Sequence, residues 1–237
     1  MTRFVANKSR HGKSPLHLDR CHAAIDHKLA GWITPTTRTA FSETAHYKLK
    51  HRVTGQTMSS PDLLIRPSTP ADLPAITAIY GWNVMNGTGT FELESPDLAE
   101  MTRRRDEVLG KGLPWLVVQR GGDVAGYAYA NHFRPRKAYR FCLEDSLYLA
   151  ADAKGQGLGR LLLAELMARC EALGARQMLA VIGDSQNLGS VGVHRTLGFE
   201  PVGVMKSAGW KFDRWLDVVI MQKALGQGGT TAAGDLA

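Results

Sequence analysis

The stretch Tyr148-Leu149-Ala150-Ala151-Asp152-Ala153-Lys154-Gly155-Gln156-Gly157-Leu158-Gly159-Arg160 sets three alternate glycines between an apolar run and the start of a helical pattern. Gly155, Gly157 and Gly159 remove side chains where backbone N–H groups could converge on an anion, and a helix beginning there adds the partial positive charge of its N-terminus. Such a turn suits a pyrophosphate. It also suits a plain turn, and glycines alone do not separate the two. No Gly-Lys-Ser/Thr follows, so it is not a Walker A loop. No acidic residue stands at a later strand end as a dinucleotide fold requires.

Two side chains near this stretch could move protons. Glu144 lies beside Leu143 in the apolar run Phe141 to Leu149, and reads either as a general base or as a strand-edge carboxylate satisfied by Arg140 or Lys137. His194 is one of two histidines after residue 51, the other being His132; its imidazole can give or take a proton, or simply pack within a helix. Asn187 precedes that helix and suits its N-cap. Cys21, Cys142 and Cys170 are few, odd in number and without metal-ligand spacing, so neither a disulfide framework nor a metal site is expected. A reducing cytoplasm fits them.

The elements that must hold these residues follow from apolar spacing. Leu63 to Arg66 reads as a strand, and Thr69-Pro70-Ala71-Asp72 caps a helix carrying Leu73, Ile76, Ile79 and Tyr80. A second helical pattern spans Pro96 to Leu109, with Arg103, Arg104 and Arg105 on a solvated face. Trp115–Val118 and Val124–Tyr129 flank Gly121-Gly122-Asp123 as a hairpin. Phe141 to Leu149 is a strand, Leu158 to Leu173 a helix stopped by Gly174, and Met178 to Ile182 a buried strand. Leu188 to Leu197 is a short helix, and two late strands fall near Val202–Met205 and Leu216–Gln222. This order predicts an α/β (α+β) domain with a mixed, mostly antiparallel sheet flanked by helices.

Charge divides the chain. Residues 1–57 hold ten Lys and Arg against three acidic residues, while the remainder carries 19 of each sign, so the net charge of +7 belongs to the first segment alone. That segment has no sustained apolar period and reads as a disordered basic extension, with Met58 favoured as the biological start. The domain is expected over 58–226, with a flexible tail over 227–237. No apolar run approaches the length of a membrane span and no secretory signal is present, so neither a membrane nor a nucleic-acid partner is expected and the cytoplasm fits.

Two blocks resemble the GNAT superfamily of acyl-CoA N-acyltransferases, and four more narrow the likeness to one branch of it. The first is Lys154 to Gly159, similar to the family's Gln/Arg-x-x-Gly-x-Gly/Ala loop with Lys in first place; the change keeps a cation and loses a planar donor. The second is Asn187 to Phe199, ending in Leu-Gly-Phe. The phosphinothricin acetyltransferase-like branch is similar through Phe133 to Arg140, Glu144 to Tyr148, Ala180 to Gly183 and Lys211 to Asp217. The resemblance spans about residues 63–223.

It implies the GNAT fold and transfer of an acetyl group from acetyl-CoA, as co-substrate and without metal, to a small amino-acid-like amine. That transfer is by direct attack in a ternary complex. It further implies Glu144 and His194 as catalytic groups. Leu147, Tyr148, Leu149, Lys154, Gly155, Gln156, Gly157, Leu158, Gly159, Arg160 and Asn187 would hold the coenzyme. Phe91, Arg134, Arg136, Tyr139 and Arg140 would meet the acceptor, the arginines because a guanidinium grips a carboxylate bidentately. A homodimer is compatible with it. The rival expectations are acetylation of a protein N-terminus or lysine, and a non-catalytic coenzyme-binding module with an RNA-binding basic arm.

Overall fold

The computed structural model describes residues 63–233; the extension expected over residues 1–57, the boundary at Met58 and residues 234–237 of the tail lie outside the described residues. The elements run β1 (Leu63–Pro67), α1 (Leu73–Asn86), α2 (Leu98–Gly110), β2 (Trp115–Arg120), β3 (Asp123–His132), β4 (Cys142–Leu149), α3 (Leu158–Ala172), β5 (Gln177–Gly183), α4 (Leu188–Thr196), β6 (Glu200–Lys211) and β7 (Arg214–Ala224). This is the order expected from the apolar spacing. The seven strands form one sheet ordered β1-β2-β3-β4-β5-β7-β6, in which only β4 and β5 pair in parallel.

Local chemistry sets the element ends. The Thr69 cap opens a short 3-10 turn, Pro70–Asp72, which runs on into α1. The Asp72 carboxylate closes a reciprocal capping box with Thr69 and takes both guanidinium nitrogens of Arg66 at 2.7 Å, tying α1 to β1. Asp97 caps α2 by accepting from the Glu100 N–H at 2.8 Å. The β2–β3 hairpin turns at Gly121 and Gly122, whose φ values of 60° and 93° are those a tight hairpin turn needs. The last hairpin is longer than its apolar stretches suggest, because Phe212 and Asp213 make the turn at φ 54° and pairing continues to Lys211 and Arg214.

Strand alternation divides the sheet into two faces. On one, Trp115, Tyr127, Tyr129 and Tyr148 stack under α1 and α2, and the Tyr148 ring meets Tyr80 of α1 edge-on at 4.9 Å. On the other, Leu147 and Leu149 lie against Gly159 of α3, whose Leu162, Leu166 and Cys170 are fully buried. The Arg103–Arg105 run is not uniformly solvated. Arg103 is exposed and Arg104 bridges Glu100 and Glu92, whereas Arg105 is 7% exposed and donates to Ser68 Oγ at 2.8 Å and Ser68 O at 2.6 Å. Helical spacing turned Arg105 inward, where the chain after β1 supplies its acceptors. Among the described residues no helix is long and apolar enough to cross a membrane.

The Arg66 guanidinium, opposed by burial and helped by Thr69, holds the Asp72 carboxyl at about 2, below its ordinary 3.8. A depressed carboxyl stabilises the fold above its unfolded value and loses that contribution as pH falls towards the folded one, a difference of about 2 kcal/mol. Asp72→Asn is therefore expected to lower stability by about that amount at pH 7, with the gap closing between pH 4 and pH 2. Urea midpoints of both proteins across that range check it.

Candidate active site

The site originates in a split of the sheet. β4 and β5 pair from Cys142↔Gln177 to Asp145↔Ala180 and then part: β4 continues to Leu149 against β3 alone, and β5 to Gly183 against β7 alone. The backbone of Ser146 to Leu149 on the β5 side is left without a strand partner. The gap opens into a cavity of about 710 Å³, lined along β4 by residues 144–149 and closed by the Gly87–Thr90 segment, the glycine loop and α4.

A 3-10 turn at Ala151–Ala153 carries the chain from β4 into the glycine loop. Gly155 and Gly157 hold φ of 74° and 80°, and a Cβ at either would meet open space, so here glycine is required by backbone geometry and leaves room for a ligand. Gly157 caps α3, whose first N–H groups have no intrahelical acceptor. Gly155, Gly157, Gly159, Lys154 and Arg160 line the cavity. Gln156 and Leu158 stand behind it: Gln156 donates to Asp152 O at 2.6 Å and accepts from Arg120, and Leu158 enters the core. Lys154 donates to Asn83 Oδ1 at 3.1 Å and sits over the Trp82 ring, with burial pulling its ammonium below the ordinary lysine value.

Glu144 is on a central strand, not an edge, and neither Arg140 nor Lys137 pairs with it. It shares the α1/α2 face with Tyr148 and lines the cavity. Burial first, then the charge of Asp145, raises its carboxyl above the ordinary value, with Arg134 acting in the opposite sense. A carboxylate in that state is a better proton acceptor.

His194 is 3% exposed, faces the same cavity, and has both ring nitrogens engaged. Nδ1 lies 2.8 Å from Ser190 O, which can only accept, so Nδ1 carries a proton. Nε2 lies 3.1 Å from Asp145 Oδ2, so a second proton sits between the ring and the carboxylate. Burial disfavours the charged ring, but the bond to Asp145 outweighs it and raises the His194 value above its ordinary one.

Asn187 caps α4 by accepting from Ser190 N at 3.2 Å and lines the cavity, as do Leu147, Tyr148 and Leu149. Phe91, Arg134, Arg136, Tyr139 and Arg140 lie outside that lining. Phe91 is wedged against Gly183 and Gly209, Arg134 stacks on Phe133, Tyr139 meets Phe133 edge-on, and Arg140 stacks on Phe141. Among the cavity residues that escaped the sequence reading are Asp145, Asp184 and Asn83. Asp145 is buried and paired with His194; Asp184 is buried, at φ 69°, and accepts from Arg214 Nη2 at 2.7 Å; Asn83 donates to Leu149 O at 3.1 Å. An acidic residue inside an apolar strand was the available signal for Asp145. For Asp184 and Asn83 no local signal existed.

A half-buried carboxylate on one face, a carboxylate–imidazole pair on the other and a cluster of N–H donors at the helix end are groups that can act as a base, an acid and an anion site around one cavity. Known proteins carry matching sequence. Residues 77–199 match the model of the acetyltransferase (GNAT) family. Phosphinothricin N-acetyltransferase of Alcaligenes faecalis is 56% identical over 160 residues, covering 68% of this chain and 81% of that protein. The L-methionine sulfoximine/L-methionine sulfone acetyltransferase of Pseudomonas aeruginosa is 42% identical over 159 residues, 67% of this chain and 92% of that one. The crystal structure of a GNAT superfamily phosphinothricin acetyltransferase from Sinorhizobium meliloti with AcCoA superposes with a TM-score of 0.71 at 47% identity, covering 73% of this chain and 94% of that one. With this fold, this cavity and these likenesses, the chain belongs to the GNAT family of acetyltransferases.

Proposed function

We propose that the protein transfers the acetyl group of acetyl-CoA to the amino group of a small amino-acid-like molecule, of the kind named for its phosphinothricin and methionine sulfoximine acetyltransferase relatives. The observation that carries this is the split between β4 and β5, which puts free strand backbone, the glycine loop, Glu144 and His194 around one cavity. The residues fit the co-substrate. The side-chain-free Gly155 and Gly157 and the first N–H groups of α3 accept a pyrophosphate. The unpaired edge of Ser146 to Leu149 accepts an amide-bearing arm as a strand would.

Glu144 takes a proton from the acceptor's ammonium, which near neutral pH is mostly charged. The amine nitrogen then forms its bond to the acetyl carbon and the carbon–sulfur bond breaks, its electron pair going to sulfur. His194 gives up one of its two hydrogen-bonded protons to sulfur, the second proton of the attacking nitrogen passes to solvent, and an amide and a free thiol remain; solvent then restores both side chains. Cys142 and Cys170 take no part; burial pushes both thiols up, which disfavours the nucleophilic thiolate. Arg134 lies outside the cavity lining, but its charge reaches Glu144, and it is the arginine this reading assigns to an acceptor carboxylate.

Free-thiol release with acetyl-CoA and a panel of amino acids and peptides tests the reading: turnover is expected with small amino acids, and turnover confined to peptides would replace the acceptor class. Glu144→Gln keeps shape and removes basicity, so kcat is expected to fall by about 10²–10⁴ while the KM for acetyl-CoA holds. Gly157→Val forces a β-branched side chain into a left-handed backbone and is expected to raise the KM for acetyl-CoA far more than that for the acceptor. Equal changes in the two KM values would remove the loop from coenzyme binding.

A further inference from the structure

Asp145 and His194 form a buried ion pair that the sequence order conceals and that acetyl transfer, as written above, does not explain. The two are 49 residues apart, and their side chains are 3% and 4% exposed, respectively. Among the described residues His194 is the sole ion-pair partner of Asp145, and Asp145 Oδ1 has no hydrogen-bond partner at all. A buried carboxylate with one oxygen unsatisfied is costly, and is retained only where its charge is balanced. The balancing charge is the second proton on His194.

The surroundings leave no other source for it. From α4 the ring sees Ser190 O, an acceptor; Phe199 presents its ring edge-on at 4.9 Å; and the Cys170 thiol of α3, pushed up to about 12 by burial and then by Asp145, stays neutral. Across the sheet stands Glu144, an acid whose proton Asp145 also helps retain. Among the described residues no arginine or lysine enters the pair.

We propose that Asp145 is a positioning residue for acetyl transfer, acting through His194: it fixes the ring at the cavity wall and keeps on it the proton that the departing sulfur takes. The proposal rests on reading His194 as the acid. It assigns the two adjacent acids opposite tasks. Glu144 on one face of β4 accepts a proton, and Asp145 on the other holds one in place through His194.

The test is Asp145→Asn in the full chain. An asparagine amide can donate to a neutral Nε2, so the ring keeps its place while losing the reason for its second proton. The raised His194 value means that the acid is present at low pH and lost as pH rises through it, so removing the carboxylate moves that loss to lower pH. The alkaline limb of kcat is expected to shift down by about one pH unit or more and kcat at pH 8 to fall by about tenfold or more, with the KM for acetyl-CoA unchanged. In a His194→Gln background the same substitution is expected to add nothing. A folded Asp145→Asn enzyme with an unmoved alkaline limb, or additive losses in the double variant, overturns the proposal. The ring C–H signals of His194, identified by their disappearance in His194→Gln, give a second measurement in the unsubstituted protein. Titration above the ordinary histidine value of about 6.5 is expected, and titration at or below it overturns the proposal even if the asparagine variant does not fold. Absence of thiol release from the unsubstituted enzyme with every acceptor would instead defeat the functional reading, while the titration would still decide the pairing.

Discussion

The parting of β4 from β5 after Asp145↔Ala180 is the constraint on which the rest of the site depends. It is the one parallel contact in the sheet, and it lasts for four residue pairs. Each strand stays fully paired on its other side, β4 with β3 to Leu149 and β5 with β7 to Gly183, so neither has to unfold for the gap to exist. A broken ladder usually costs free energy, because unpaired backbone groups inside a protein lose their hydrogen bonds. Here the freed groups face a cavity wide enough for solvent or ligand. Separation also lets α4 approach from one side and the Gly87–Thr90 segment from the other, so the cavity has walls of different origin. At Gly183 a Cβ would strike the Thr88 carbonyl, and this close approach joins that segment to the splayed end of β5.

The same strand sorts the proton chemistry. Because side chains alternate along β4, Glu144 and Asp145 point to opposite faces although they are neighbours in sequence. Glu144 meets the aromatic layer under α1 and α2, where burial makes it reluctant to stay charged. Asp145 meets α4, where His194 supplies a counter-charge. The proposed base and the partner of the proposed acid are thus neighbours in one dipeptide. The electrostatics of the two faces remain coupled, since the charge of Asp145 helps raise Glu144.

Anchoring of the glycine loop depends on contacts from α1. Asn83 donates to the last β4 carbonyl, Leu149 O, and accepts from Lys154, whose ammonium also rests on Trp82. Asp152 and Gln156 are held from β2 by Arg120. A loop chosen for the absence of side chains is thereby given a defined position by residues flanking it, which limits the entropy lost when an anion is bound.

Much of the fold was legible in the sequence because apolar spacing and turn residues are local signals. The strand and helix order, the Gly121-Gly122 hairpin and the Thr69-Pro70 helix start all follow from a few neighbouring residues. Alternate glycines ahead of α3 marked a loop that lines the cavity for the same reason, and the family-like blocks around Glu144 and His194 pointed to an acetyltransferase. What local pattern does not carry is which chain segment arrives opposite a given side chain. The arginine run looked solvated, yet Arg105 found Ser68 across 37 residues. Arg140 seemed a partner for Glu144 and instead lies on Phe141. Phe91 and the arginines before β4 gather outside the cavity wall, while Asp184 and Asn83 reach it. The sequence by itself determined the elements, the glycine loop and the kind of chemistry. Only the tertiary structure decided that Asp145 rather than solvent faces His194, because that pairing requires β4 and α4 to meet across the gap where β5 turns away.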